Sequence, residues 1–301
     1  MMPSKNLLKS LLSLLVTIFS GYACEAQEMD QLDPLDKEWI QNVSVTGELP
    51  VKRVYKTGYG VENKCNSSSG QGGAIRDGIL YRLYHSGYCQ TFDIADLAHP
   101  VKTGTFRLKS SRSTNHSNCA QIWVDTDGQR YLYVAGLRGK CFVERITQDG
   151  SILIQTITLP ALDVLNGATG YNIICGDDGY LWIFGASGDR LYFAKARRPD
   201  LKEWNVVLKE DDILDCWSEE GYVYSDNPTQ GGKVYDNLLF MLFGKRGHGK
   251  HLAIYDTRAH ERIEDIDLSD VEDEPEDCDI VPQGILVFTN WGSNYYLIRP
   301  K

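Results

Sequence analysis

The chain lacks the short motifs that identify several classes of enzyme. Its 301 residues contain no Gly-x-Ser-x-Gly, His-Glu-x-x-His, Walker loop or Cys-x-x-Cys. These absences argue against an α/β-hydrolase, a zincin, a P-loop nucleotidase, and a zinc ribbon or redox pair. Basic residues are also scarce, with 31 Lys and Arg against 41 Asp and Glu and a net charge of −10. Because nucleic acids and anionic membrane surfaces attract clustered basic residues, neither is an expected partner.

Long hydrophobic runs are missing as well, apart from one near the start. Lys5 and Lys9 flank the beginning of the apolar run Leu11–Phe19, which is too short to cross a bilayer as a mature helix. Small residues follow it, ending at Ala23. This order is typical of an export signal. We therefore expect residues 1–23 to be the signal, residues 24–42 to be a linker, and the mature chain to lie in the periplasm or on the outer cell surface.

The residue after the expected signal leaves two outcomes open. Cys24 follows Ala23 and is suited to lipid modification, as in a bacterial lipoprotein. Alternatively, simple cleavage near Ala23 or Ala26 would release a protein without an anchor. A lipid at Cys24 is the only membrane attachment that the sequence predicts.

Seven cysteines remain without Cys24, so at least one has no partner within the chain. An exported compartment permits disulfides. However, Cys89 and Cys141 occupy the same position in two successive repeats, and buried cysteine also packs as a small hydrophobic residue. The pattern favours mainly buried thiols and leaves disulfides open.

A pattern of short strands returns about every 50 residues, which is typical of β-propeller blades. Each unit has an apolar strand that follows a small or polar lead-in. These strands are Ile79–Tyr84, Tyr131–Ala135, Tyr180–Phe184, Leu238–Phe243 and Ile285–Thr289. Tight-turn residues such as Asp77-Gly78 and Asp236-Asn237 lie between the first and second strands of every unit, where a hairpin must turn. The sequence therefore predicts an all-β fold, a single propeller over residues 43–301 with five four-stranded blades.

Two details of this propeller stay open. The first four units close with the segments Gly104–Leu108, Gln155–Leu159, Trp204–Leu208 and Glu264–Leu268. The fifth unit is one strand short, so we expect an N-terminal strand to complete it, either Val43–Leu49 or Val51–Lys56. Residues 209–230 are predicted to be an insertion, and a degenerate sixth blade there is the alternative.

The predicted topology places two sets of loops on one face, which we call the loop face. It gathers the connections between blades and the turns between second and third strands, and loops on a rigid scaffold often carry function. The segments are Lys109–Asn118, Pro160–Tyr171, Lys209–Gln230, Ser269–Asp277, Gly136–Lys140 and Gly244–Lys250.

Two clusters on this face have residue types suited to chemistry. His116 lies between Asn115 and Asn118, and an imidazole there can act as an acid, a base or a ligand. Glu276 and Asp279 enter the last inner strand, and paired carboxylates serve as acid and base in glycoside hydrolysis. The candidate catalytic residues are therefore Asp279, Glu276 and His116, and the alternatives are a loop-capping cluster and a solvated acidic loop.

The same acidic segment is a candidate calcium site, since calcium binds oxygen ligands. Its predicted ligands are Asp273, Glu276 and Asp277. Calcium is possible and no cofactor is required by the sequence.

Further residues on the loop face are candidates for ligand binding. Amides and arginines would bind hydroxyl or acidic groups, and aromatic rings would stack on sugars. The candidates are Asn115, Asn118, Arg112, Arg138, Tyr171, Asn172, Trp217, Arg246 and Trp291.

Several short motifs resemble those of exported β-propeller proteins of Bacteroidetes. They are Gln71-Gly72-Gly73-Ala74-Ile75, Asn118-Cys119-Ala120-Gln121, Cys141-Phe142-Val143-Glu144-Arg145-Ile146 and Glu276-Asp277-Cys278-Asp279-Ile280. The resemblance spans roughly residues 70 to 300 and implies export and a propeller, but no reaction. In architecture alone the chain is similar to five-bladed propeller glycosidases such as the arabinanases. Those enzymes carry an acidic base on the first inner strand, where Gly72–Ile75 has no carboxylate.

Three hypotheses for function follow. The first is a binding propeller at the cell surface with a glycan or protein ligand on its loop face. The second is a glycan-active hydrolase or lyase that uses His116 and carboxylates at the mouth of the central channel, which the inner strands of the predicted propeller line. The third is a structural role in an envelope assembly. Under the first two hypotheses, the Asp279→Asn and His116→Ala variants are expected to fold normally and to lose the function of the loop face.

Overall fold

Twenty-one β-strands form five sheets in the part of the chain that the structure describes. The structure is a computed structural model. It describes residues 51–56, 70–97, 100–111, 115–168, 170–221, 228–245, 247–269, 271, 273–290 and 294–298. Short 3₁₀ turns occur at His85–Gly87, Asp163–Leu165 and Glu210–Asp212. Among the described residues, no helix has the length and hydrophobicity needed to cross a membrane.

The five sheets are the five blades of a β-propeller, which confirms the predicted fold. Blade one contains β2 (Gly70–Arg76), β3 (Ile79–Tyr84), β4 (Tyr88–Asp93) and β5 (Val101–Arg107). Blade two contains β6 (Cys119–Val124), β7 (Arg130–Gly136), β8 (Lys140–Thr147) and β9 (Gly150–Thr158). Blade three contains β10 (Asn172–Cys175), β11 (Leu181–Ser187), β12 (Arg190–Ala196) and β14 (Ile213–Glu220). Blade four contains β15 (Thr229–Tyr235), β16 (Leu238–Phe243), β17 (His251–Asp256) and β18 (Glu261–Asp267).

Blade five is completed from the other end of the chain. It contains β19 (Pro275–Val281), β20 (Gly284–Thr289), β21 (Asn294–Ile298) and β1 (Val51–Lys56). β1 pairs antiparallel with β21, from Val51 opposite Ile298 to Lys56 opposite Asn294. The predicted closure by an N-terminal strand is confirmed, and the strand is the second of the two candidates. The first, Val43–Leu49, lies outside the described residues.

Turn residues fix where each inner hairpin reverses. In blade one Asp77 and Gly78 have φ of 50° and 70°, and in blade four Asp236 and Asn237 have φ of 45° and 61°. Two consecutive positive φ values are what a tight type I′ hairpin requires, and Asp, Asn and Gly tolerate them best. The turn positions predicted from these residues are therefore confirmed.

The prediction for the outer part of blade three is wrong. The segment expected to close this blade, Trp204–Leu208, instead contains β13 (Asn205–Val207), which pairs in parallel with β9 of blade two. The outer strand of blade three is β14, which lies in the segment expected to be an insertion. Gln155 holds the added strand in place, since its side-chain amide donates to the carbonyl oxygens of Asp200 and Glu203 at 2.8 Å each.

The apolar core lies between neighbouring blades. One buried cluster joins blades two and three through residues such as Tyr133 and Ile183, and another joins blades three and four through Phe193 and Met241. Cysteine contributes to this packing: Cys89, Cys119, Cys141, Cys175 and Cys278 are buried free thiols. Cys216 is free and exposed, so the described cysteines form no disulfide.

Candidate channel-mouth site

The inner strands β2, β6, β10, β15 and β19 meet around the propeller axis. The carboxylate of Asp277 lies among them and is fully buried. Its Oδ2 accepts hydrogen bonds from the backbone N–H groups of Gly73, at 3.1 Å, and Ala120, at 2.9 Å. Burial raises the pKa of the Asp277 carboxyl well above its usual range, and the backbone N–H donors oppose this shift. Asp277 thus ties the inner strands of blades one, two and five together.

Gly231, on the inner strand of blade four, allows that strand to approach Asp277 closely. A Cβ atom at Gly231 would lie 2.5 Å from the carbonyl oxygen of Glu276, 2.7 Å from Oδ1 of Asp277 and 2.8 Å from the carbonyl oxygen of Asn118. Two of these three neighbours are backbone atoms that cannot easily move. The inner strands therefore pack tightly at the level of Asp277.

Asp279 lies deeper in the same strand and forms a buried ion pair. Its Oδ1 is 2.8 Å from Nζ of Lys233, and the two side chains are 2% and 8% exposed. Its Oδ2 accepts a hydrogen bond of 2.6 Å from the N–H of Ile75. Both oxygens have partners and the group is closed to solvent. The structure therefore argues against the predicted catalytic role and gives Asp279 a part in joining blades one, four and five.

Five polar residues lie together where the inner strands begin, and we call them the mouth cluster. They are Asn172, Gln230, Glu274, Glu276 and Asn290. Asn290 donates to Oε1 of Glu276 at 2.7 Å, and Gln230 donates to Oε1 of Glu274 at 3.0 Å. The side-chain amide of Asn172 donates to the carbonyl oxygen of Gln230 at 2.8 Å. Blades three, four and five thus contribute to one hydrogen-bonded group.

The two carboxyl groups of the mouth cluster titrate abnormally. Burial raises the pKa of Glu276 well above its usual range, and the nearby Glu274 raises it further, while the cationic Arg82 opposes the shift. Burial also raises the pKa of Glu274, against the opposing effects of Gln230 and Lys245. Raised carboxyl pKa values within a polar cluster are typical of ligand-binding and catalytic positions.

His116 lies on the loop face beside a histidine that the sequence analysis did not single out. Its Nδ1 is 2.8 Å from Nδ1 of His85, in the turn between β3 and β4. Burial, together with His85, lowers the pKa of His116. The predicted neighbour Asn115 is fully buried and supports the loop: its side chain donates to Ser110 at 2.8 Å and accepts from Ser117 at 2.7 Å.

The structure does not bring the predicted calcium ligands together. Within the described ranges, no group of three or more His, Cys, Asp or Glu side chains could hold a metal ion. Asp277 points at backbone N–H donors, which favour an anion and not a cation, and Glu276 is bonded to Asn290. The grouping of Asp273 with Glu276 and Asp277 is therefore wrong.

The remaining candidates are dispersed. Asn118 is half-buried at the start of β6, and Arg138 is exposed in the turn after β7. Tyr171 is a core residue: its hydroxyl donates to the carbonyl oxygen of Leu165 at 3.0 Å, and burial raises its pKa to about 12. Trp217 lies on the outer strand of blade three. The predicted ligand-binding residues Arg112, Arg246 and Trp291, and the lipidation candidate Cys24, lie outside the described residues.

Trp217 already has stacking partners on both sides. The ring of Phe193 is 4.9 Å away at an interplanar angle of 12°, and the ring of His260 is 4.5 Å away at 5°. No face of the indole is left for a sugar ring. The expectation that Trp217 is a stacking platform is therefore wrong, because an outer strand can bury its aromatic side chain against the next blade.

Sequence reasoning missed most of the mouth cluster. Gln230, Glu274 and Asn290 belong to no catalytic motif. One signal was available: Gln71-Gly72-Gly73 in blade one returns as Gln230-Gly231-Gly232 in blade four. This repeat marks the places where two inner strands start close to the axis, and so it marks the mouth.

Comparisons with known proteins show the fold and no family. No family model matches the chain. A segment of 133 residues, 44% of this chain, is 28% identical to the FAD-dependent oxidoreductase domain-containing protein 1 homolog of Drosophila melanogaster. The match covers only 25% of that relative, and at this identity and coverage it shows no shared family.

Among solved structures, the tail fiber of Staphylococcus aureus phage P68 is similar to 88% of this chain with a TM-score of 0.54 and 14% identity. The chain spans 55% of that fiber protein. A glycosyl hydrolase from Bacteroides ovatus is similar over 84% of this chain and 92% of its own, with a TM-score of 0.45 and 13% identity. At 14% identity the likeness to the fiber protein shows a shared fold alone.

Proposed function

We propose that this protein is an exported propeller that binds a hydroxylated ligand, a glycan in the first place, at the mouth cluster. The observation that carries the proposal is the hydrogen-bonded group of amides and carboxyls contributed by three blades. Amide and carboxyl groups are the side chains that bind sugar hydroxyls, because they donate and accept in fixed directions. The tight packing around Asp277 supports a ligand that enters from the loop face and does not pass through the ring.

The scaffold supports binding because it holds these side chains on strands. Gln230 and Glu276 lie within β15 and β19, and Asn172 begins β10. A site carried by paired strands loses little conformational entropy when a ligand binds, so weak individual contacts add up. The export signal expected at residues 1–23, with or without a lipid on Cys24, would bring this face to extracellular or periplasmic glycans. A protein ligand at the same face is the alternative occupant.

One observation favours a second function, a glycan-active hydrolase or lyase. Glu276 and Glu274 are neighbouring carboxyls whose pKa values are both raised. A protonated carboxyl beside an ionised one is the arrangement that acid–base cleavage of a glycosidic bond requires. In this second proposed function Glu276 is the general acid, and His116 on the loop face is a further acid or base. Asp279 has no role in it.

A glycan array with two readouts tests both functions. The purified chain without residues 1–23 is applied to each glycan, and bound protein and released sugar are measured in the same wells. We expect binding, with about tenfold weaker affinity for Asn172→Ala because a hydrogen-bonding amide is lost. Asn205→Ala, which removes an exposed asparagine on β13, is the matched control.

Each outcome has a definite meaning. Binding that is weakened by Asn172→Ala but not by Asn205→Ala supports the mouth cluster, and binding unchanged in both places the ligand elsewhere. Sugar release that is abolished by Glu276→Gln, which keeps the size of the side chain, establishes the enzyme. Absence of both binding and release contradicts the glycan and leaves the protein partner.

A further inference from the structure

The outer strand of blade one has an open edge, whereas the equivalent strand of blade two has a covered edge. In the part of the chain that the structure describes, β5 pairs with β4 alone, while β9 pairs with both β8 and β13. The two outer strands are equivalent in register, because Phe106 lies opposite Cys89 as Ile157 lies opposite Cys141. The added strand β13 is therefore a template for a strand that β5 could accept.

Backbone hydrogen bonds and apolar packing hold the added segment on blade two. The N–H of Thr156 donates to the carbonyl oxygen of Trp204 at 2.9 Å, and the N–H of Leu208 donates to the carbonyl oxygen of Thr158 at 3.0 Å. Val206, between them, packs against the buried cluster that joins blades two and three. A short extended segment with one apolar side chain facing the core is thus bound by an outer strand of this propeller.

The corresponding backbone groups of blade one lie on the open edge of β5. From the shared register, Thr105 takes the place of Thr156, and Arg107 takes the place of Thr158. The N–H of Thr105 and the carbonyl oxygen of Arg107 are therefore placed to bond to a fifth strand in the same way. Val101 and Thr105 expose β-branched side chains on β5, and such side chains favour sheet pairing.

A cavity lies beside this open edge, at a place that is filled in blade two. Its volume is about 640 Å³, and it is bounded by β5 and by the turns β6–β7 and β8–β9 of blade two. Gly104 takes the position of Gln155, whose side chain bonds to the added segment in blade two. A Cβ atom at Gly104 would have one neighbour within 4 Å, Oγ1 of Thr91 at 2.8 Å. A second cavity, of about 440 Å³, lies along β5 from Phe106 to Lys109.

The wall of the larger cavity contains apolar side chains that are incompletely buried. Ile79, Phe106 and Ile146 line it, and each is only half-buried against the apolar cluster between blades one and two. In blade two, Val206 lies opposite Ile157, which is the equivalent of Phe106. An apolar side chain opposite Phe106 on a fifth strand would therefore remove these three side chains from water, which is favourable.

We propose that β5 and the two cavities form a docking groove for an extended segment of a protein partner. The segment adds to β5 as a parallel fifth strand and places an apolar side chain opposite Phe106, as β13 does opposite Ile157. Cavities of this volume accommodate one or a few side chains. Blades one and two form the groove, whereas blades three, four and five form the mouth cluster. The partner is therefore bound independently of the ligand proposed for the mouth cluster.

A synthetic peptide with the sequence Leu201–Lys209 is the probe, because this segment already binds the equivalent edge of blade two. Calorimetry with the purified chain is expected to show binding. Thr105→Pro removes the N–H donor and should weaken the affinity about tenfold or more. Thr105→Ala keeps this N–H and is the matched control, with unchanged affinity. A control peptide with Val206→Asp should bind at least tenfold more weakly, because its carboxylate would face the apolar wall.

Hydrogen exchange provides a second measurement that needs no variant, in case Thr105→Pro does not fold. Slower exchange of the amides of Val101–Arg107 when the peptide is added supports the groove. Absence of peptide binding, equal affinity of the folded Thr105→Pro and Thr105→Ala variants, or protection confined to another part of the chain would overturn it. Protection of β5 that rises with chain concentration in the absence of peptide would also overturn it, because the occupant would then be a second copy of this chain.

Discussion

The buried ion pair between Asp279 and Lys233 yields a strong prediction about stability. Asp279→Ala removes the ion-pair partner of the Lys233 ammonium group, whose side chain is 8% exposed. A buried charge left without its partner costs about 3–5 kcal/mol in free energy of unfolding. The N–H of Ile75 also loses its acceptor, which adds about 1–3 kcal/mol. We therefore expect a loss of about 4 kcal/mol or more.

Urea unfolding followed by tryptophan fluorescence measures this loss. The midpoint is expected to fall while the slope m stays constant, because the folded structure exposes no additional surface. Glu203→Ala removes an exposed carboxylate and serves as the control, with an expected change within about 0.5 kcal/mol. Replacing the pair together by Lys233→Met and Asp279→Leu is expected to recover much of the loss, since apolar side chains of similar volume tolerate burial.

A loss in Asp279→Ala no larger than that in Glu203→Ala would refute the reasoning. It would mean that Lys233 reaches solvent or another anion when Asp279 is absent. In that case the sequence-based expectation, that changing Asp279 leaves folding intact, would hold after all. The double replacement separates the two explanations, because a solvated Lys233 gains nothing from it.

Three further predictions concern the same region. Gly231→Ala is expected to destabilise the fold by about 3 kcal/mol or more, because its Cβ would meet two backbone oxygens and Asp277. Gly170→Ala, which has open space around its Cβ, is the control and should change the urea midpoint little. Equal midpoints for the Gly231→Ala and Gly170→Ala variants would contradict the tight packing. The folded pKa of Asp277 is raised, so the folded chain binds more protons than the unfolded chain above about pH 4, and stability falls as pH rises through this window. Asp277→Asn should make this decrease in the free energy of unfolding shallower, by at most about 1.4 kcal/mol per pH unit. Urea unfolding at several pH values measures it, and parallel pH profiles for the variant and the unchanged chain would refute the prediction. Glu276→Gln should likewise make the fall shallower, because the raised pKa of Glu276 acts in the same direction, and an unchanged profile would show that Glu276 ionises normally.

The blade count could be predicted from the sequence because the hairpin turns are local. Asp77-Gly78 and Asp236-Asn237 determine their own backbone geometry, and the same turn position recurs in each unit. The outer strand of blade three could not be predicted in the same way. Trp204–Leu208 has the alternation of an edge strand, and no local feature tells whether it pairs with β12 of its own blade or with β9 of the blade before.

The site was harder to predict because its residues act through distant partners. The sequence shows Asp279 as an aspartate inside a strand, which suggests a catalytic role. Only the structure shows that Lys233, on the inner strand of another blade, forms an ion pair with it. His116 stands among the polar residues Asn115, Ser117 and Asn118, whereas His85 follows directly on the apolar strand β3 and has one polar neighbour, Ser86. Only the topology, which places both on the loop face, brings the two imidazoles together.

The pairing of β1 with β21 also sets an order of events in the life of the chain. On the ribosome β1 is made before the four blades that separate it from its partner, and β21 comes after them. Blades one to four can form from neighbouring segments, but the last blade cannot close until β21 is available. Contacts between such distant segments form slowly. A nascent or nicked chain that lacks either strand keeps an open edge in blade five, where a second chain could pair in its place.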